Sequence, residues 1–118
     1  MVQGKRVNIS SAYCYNPATD IWKKIAETPD VGRSRGAIAY DERNIFILGG
    51  YNDAERCFLK NVYIYDTCMD TYKETNSLPV GVIGTWPVLS GKTIYIMGGE
   101  DIPRHRSGYN FIGTVITR

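Results

Sequence analysis

Ile45-Phe46-Ile47-Leu48-Gly49-Gly50 returns as Ile94-Tyr95-Ile96-Met97-Gly98-Gly99, and that return decides the fold. Four apolar residues closed by paired glycines read as a strand buried on both faces. The glycines let the backbone leave the strand where a Cβ would obstruct it. Working outward, Tyr13, Tyr15, Asp20, Trp22, Lys23 and Pro29 recur 50 positions on as Tyr63, Tyr65, Asp70, Tyr72, Lys73 and Pro79. The Gly-Gly runs are 49 apart, so one residue is lost between the two sets of landmarks. A fixed order at a period near 50 marks stacked, similar units that need their neighbours.

Prolines and glycines cut the rest into short runs rich in Tyr, Ile, Val, Phe and Thr, with little helical periodicity. Strands are expected at 7–15, 21–25, 36–40, 45–48, 61–65, 71–74, 84–89, 93–97 and 111–117. Asn16–Asp20, Asp41–Asn44, Asp66–Asp70 and Ser90-Gly91-Lys92 read as turns. The stretches 51–60 and 100–109 read as loops. No linker or low-complexity segment separates domains.

The 118 residues are 43% apolar, enough for a core, and the net charge of +2 is spread along the chain. Arg33, Arg35, Arg104 and Arg106 form two small clusters, short of the basic face that nucleic acid requires. No run approaches the ~18–20 apolar residues of a membrane helix. No apolar segment follows Lys5-Arg6, so no signal peptide is read and the compartment stays open. Cys14, Cys57 and Cys68 match no metal or redox spacing and are expected as free, buried or half-buried thiols. One histidine leaves copper chemistry without ligands, and neither metal nor cofactor is expected.

The landmarks resemble kelch repeats: an apolar strand ending in Gly-Gly, a loop, a strand with Tyr, then an aromatic (Tyr15 to Trp22, Tyr65 to Tyr72). The resemblance spans about residues 7–117. It implies an all-β fold of antiparallel four-stranded sheets, the blades of a β-propeller stacked around an axis. In kelch phase, 7–26 supplies the last two strands of one blade, 36–75 a full blade, and 83–117 the first three strands of a third. About two blades make a partial propeller. Further blades are expected from a longer parent chain, or by self-association, because open edges and uncovered faces would otherwise remain. Gly49, Gly50, Gly98, Gly99, Tyr15, Trp22, Tyr65 and Tyr72 are then structural.

The loop Gly98-Gly99-Glu100-Asp101-Ile102-Pro103-Arg104-His105-Arg106 resembles the Gly-Gly-Glu…Pro…Arg segment of the kelch sialic-acid mutarotases, or N-acetylneuraminate epimerases. That resemblance implies an isomerase acting on an acidic sugar. Glu100 and Arg106 would be the catalytic pair, with substrate held by Arg106, His105 and, more weakly, Arg35. Anomer exchange needs a proton moved at the anomeric centre, which a carboxylate can do. A guanidinium can hold the sugar's carboxylate in a two-pronged contact. The plain alternative for Glu100 and Arg106 is a solvated loop pair worth less than about 1 kcal/mol. The alternative function is a non-enzymatic kelch module that binds a protein through its loops.

Overall fold

A computed structural model describes residues 8–102, 105–106 and 110–115, and only the backbone of 101, 102, 105, 106 and 110. Every regular element among them is a strand, and every pairing is antiparallel. Strands β1 (Ala12–Asn16) and β2 (Ile21–Ile25) form a hairpin. Strands β3 (Gly36–Ala39), β4 (Asn44–Leu48), β7 (Val62–Asp66) and β8 (Thr71–Thr75) form a four-stranded sheet in that order. Strands β9 (Val88–Ser90), β10 (Thr93–Met97) and β13 (Asn110–Thr114) form a three-stranded sheet with β10 central.

The stretches read as loops hold two small ribbons instead: β5 (Tyr51–Asn52) with β6 (Cys57–Phe58), and β11 (Glu100–Ile102) with β12 (His105–Arg106). Strands of two or three residues carry no period that a sequence can show. The inner strand expected at 84–89 begins only at Val88. Pro87 has no N–H to give a ladder and restricts Trp86 before it. The first strand starts at Ala12 rather than residue 7, and the last ends at Thr114, with 116–117 outside the described residues.

The core lies between the four-stranded and three-stranded sheets. Phe46, Leu48 and Val62 meet Ile94 and Ile96, with Leu78 and Val82 of the connecting segment closing the cluster. Phe46 and Leu48 are buried, but Ile45 and Ile47, on the opposite face, are only half-buried. They line a cleft of about 520 Å³ beneath β1, shared with Ala12, Cys14 and Tyr65. The expectation of burial on both faces thus holds for one face only. All three cysteines are free; Cys14 and Cys68 are exposed, because one borders this open cleft and the other sits in a turn.

The missing residue of the repeat is located. Ala39 pairs with Ile45 across five intervening residues, whereas Leu89 pairs with Ile94 across four. The first turn is held by the Asp41 carboxylate, which accepts from the N–H groups of Arg43 and Asn44. The second is a two-residue turn, with Gly91 at φ 58° supplying the left-handed conformation such turns demand.

Candidate functional site

The two ribbons leave the Gly-Gly ends of β4 and β10, and the glycines explain how. Gly49 has φ 68°, and a Cβ there would stand 2.5 Å from the Val82 carbonyl oxygen. The connecting segment therefore passes directly over it, and the Gly50 N–H donates to that carbonyl at 3.0 Å. Gly98 and Gly99 repeat the conformation at φ 68° and 101°. Each ribbon is pinned to the segment before an inner strand: Arg33 bridges Tyr51, and Ile83 bridges Glu100. These are equivalent bridges in the two units.

The first ribbon carries a local network. The Arg33 guanidinium donates to Asp53 at 2.7 Å and lies 5.1 Å from the centre of the Tyr51 ring. Asn8 donates to the same carboxylate at 2.8 Å and accepts from the Asp53 N–H. The hydrogen bond to Asp53 holds the Arg33 charge most strongly, and Glu100 of the second ribbon adds a smaller push in the same direction. Glu100 is thus within electrostatic reach of Arg33. The tip residues Ala54, Glu55 and Arg56 are exposed.

In the second ribbon the Cα partner of Glu100 is Arg106, and that of Ile102 is His105. The backbone brings the two expected catalytic residues opposite each other. The side chains of His105 and Arg106, and all of Arg104, lie outside the described residues. Arg35 is turned into its own unit: its guanidinium pairs with the Asp30 carboxylate and also donates to the Asp30 carbonyl. Tyr63 donates to the other Asp30 oxygen at 2.9 Å, and burial, then this bond, pushes its hydroxyl up to about 12. Among the described residues no group of three or more His, Cys, Asp or Glu side chains could hold a metal ion.

The repeated aromatics are neighbours in space, although Tyr15 and Trp22 are exposed, at 40% and 66%. Tyr15 and Trp22 lie 4.9 Å apart, as do Tyr65 and Tyr72. Each tyrosine hydroxyl donates at 2.7 Å to the aspartate five residues on, Asp20 or Asp70. Sequence reasoning missed the roles of Asp30, Asp53 and Asn8. Only the short Asp30-to-Arg35 spacing hinted at one of them.

Residues 32–79 match the Kelch motif. Kelch-like protein 24 of Homo sapiens is 31% identical over 98 residues, 80% of this chain and 15% of that protein. Kelch-like protein 31 of Danio rerio is 28% identical over 82 residues, 70% of this chain and 13% of that protein. The chain therefore spans about a seventh of the length of these relatives. With the antiparallel sheets, the match makes this a fold of kelch-type propeller blades. Nothing in these matches supports the mutarotase resemblance.

Proposed function

We propose that this chain is part of a kelch protein-interaction module whose recognition surface is the pair of Gly-Gly ribbons. One observation carries the reading: both ribbons are tied to the sheets at their starts by equivalent bridges, Arg33 with Tyr51 and Ile83 with Glu100. Prepaid ordering lowers the entropy cost of binding. Similarity to Kelch-like proteins supports the same reading. Cross-linking to a captured partner, mapped by mass spectrometry, tests it. Cross-links are expected at residues 53–57 and 100–106, and replacing Ala54-Glu55-Arg56 by Gly-Ser-Gly should abolish capture. Cross-links confined to the turns at 16–20 and 66–70 would sink the proposal.

A second reading keeps Glu100 and Arg106 as the working pair of an N-acetylneuraminate mutarotase, favoured by their placement opposite each other in the ribbon. Glu100 would move the proton, Arg106 would hold the sugar carboxylate, and His105 would line the substrate, while Arg35 stays paired with Asp30. NMR of freshly released α-N-acetylneuraminate should then show faster β-anomer appearance than buffer, lost in Glu100→Gln. A rate equal to buffer ends this reading and leaves the first untouched.

A further inference from the structure

The stretch 82–85, which leads into the third unit, is gripped from both sides by glycine turns. On one side stands Gly49-Gly50, at the root of the first ribbon. The Gly50 N–H donates to the Val82 carbonyl at 3.0 Å. A Cβ on Gly49 would stand 2.5 Å from the same oxygen. On the other side stands Gly98-Gly99, at the root of the second ribbon. A Cβ on Gly99 would meet the Ile83 carbonyl oxygen at 2.8 Å and the Thr85 methyl at 2.6 Å. Neither side leaves room for a methyl group.

The hydrogen bonds run outward from this stretch into both ribbons. Ile83 and Glu100 exchange both backbone bonds, each at 2.9 Å. Across the stretch, Gly50 is followed by Tyr51, which exchanges both with Arg33 at 2.9 and 3.0 Å. The Gly50 carbonyl also accepts from the Leu59 N–H at 2.7 Å, closing the first ribbon on the same root. A single step along the chain, from Val82 to Ile83, therefore joins the bonds of one ribbon to those of the other. Val82 is 1% exposed and packs with Leu48 and Ile96 in the core, so it has little freedom to yield sideways.

We infer that the two ribbons open and close as one cooperative unit, coupled through the stretch 82–85. Close-packed interiors transmit a displacement instead of absorbing it. A root that shifts toward the stretch pushes it onto the opposite glycine turn, and a root that lifts away takes a hydrogen bond with it. Local opening in folded proteins proceeds in contiguous units of this kind. Coupling between two sites is reciprocal, so each ribbon responds to the other to the same degree. The coupling stands on these bonds alone, and only its use rests on the protein-binding reading. There, a partner that orders one ribbon lowers the cost of ordering the other.

Amide hydrogen exchange followed by NMR tests the coupling with no partner present, so its outcome is separate from that of the capture experiment. Asp53→Ala removes the carboxylate that holds Arg33 and Asn8, and so loosens the first ribbon directly. It should speed exchange at Tyr51 and also at Ile83 and Glu100, by at least about 5-fold. Gly99→Ala presses on the stretch from the second ribbon and should speed Gly50 and Tyr51 by a similar factor. Gly91→Ala also places a side chain on a left-handed backbone but meets nothing within 4 Å, and should leave all four amides unchanged. The Tyr40 and Thr67 amides, bonded to Asn44 and Arg43 at the other end of the four-stranded sheet, should keep their rates in every variant. Acceleration confined to the altered ribbon overturns the inference. So does an equal acceleration at Tyr40 and Thr67, which would mean that global unfolding alone links the ribbons.

Discussion

Tyrosine 65 and Asp70 show how a single pair fixes the turn between the outer strands. Asp70 sits at φ 54°, in the left-handed region that Asp tolerates better than most residues. Its carboxylate accepts from the Ala26 N–H and from the Tyr65 hydroxyl, in that order of effect, and both hold its pKa below the usual 3.8. Tyr65 moves upward from 10.0, through burial first and then Asp70. The depressed carboxylate stabilises the fold fully above its unfolded pKa, and the contribution vanishes as pH falls through the lower folded value. The raised tyrosine contributes fully below its unfolded pKa and loses that contribution as pH rises toward the folded one. Tyr65→Phe should cost about 0.5–1.5 kcal/mol in urea unfolding at neutral pH, and should flatten the decline above pH 10.0. Tyr15→Phe should cost less, because Tyr15 is 40% exposed and water replaces its partner. The recurrence of Tyr and Asp at the same spacing was legible in the sequence, but the bond between them was not.

At the level of elements, Gly49 and Gly91 separate two costs that are often confused. Both have left-handed backbones, at φ 68° and 58°. A Cβ on Gly91 meets nothing within 4 Å, whereas one on Gly49 runs into the Val82 carbonyl. Gly91→Ala should therefore cost about 1–2 kcal/mol, the conformational penalty alone. Gly49→Ala should cost at least about 1 kcal/mol more, since the connecting segment must shift and its bond from Gly50 is put at risk. Paired urea titrations check this, and equal midpoints would mean that the segment moves freely. The strands forming the sheets could be read from apolar runs and glycine stops. The ribbons could not, because they are held by bridges to residues 18 and 17 positions away, Arg33 to Tyr51 and Ile83 to Glu100. Nor could the shortening of β9, where one proline outweighs a run of strand-forming residues.

Across the whole molecule, the repeat made the architecture legible and left function largely illegible. Shared positions carry the packing: Gly-Gly, the tyrosine–aromatic pairs and the alternating Ile-x-Ile faces. The positions that differ carry contacts made in one unit alone. Asp30 and Arg35, for example, become Val80 and Thr85, so the half-buried ion pair of one unit has no counterpart in the next. A motif search sees the common positions and is blind to such one-sided networks. The two turns between inner strands carry a different lesson. They differ by one residue, yet the ladders on either side keep their register. That edge of the sheets is therefore open to growth: insertions there change a surface without disturbing a seam. It is where lineages of such chains can diverge in length at little cost, and where an engineer should splice a tag or a binding peptide.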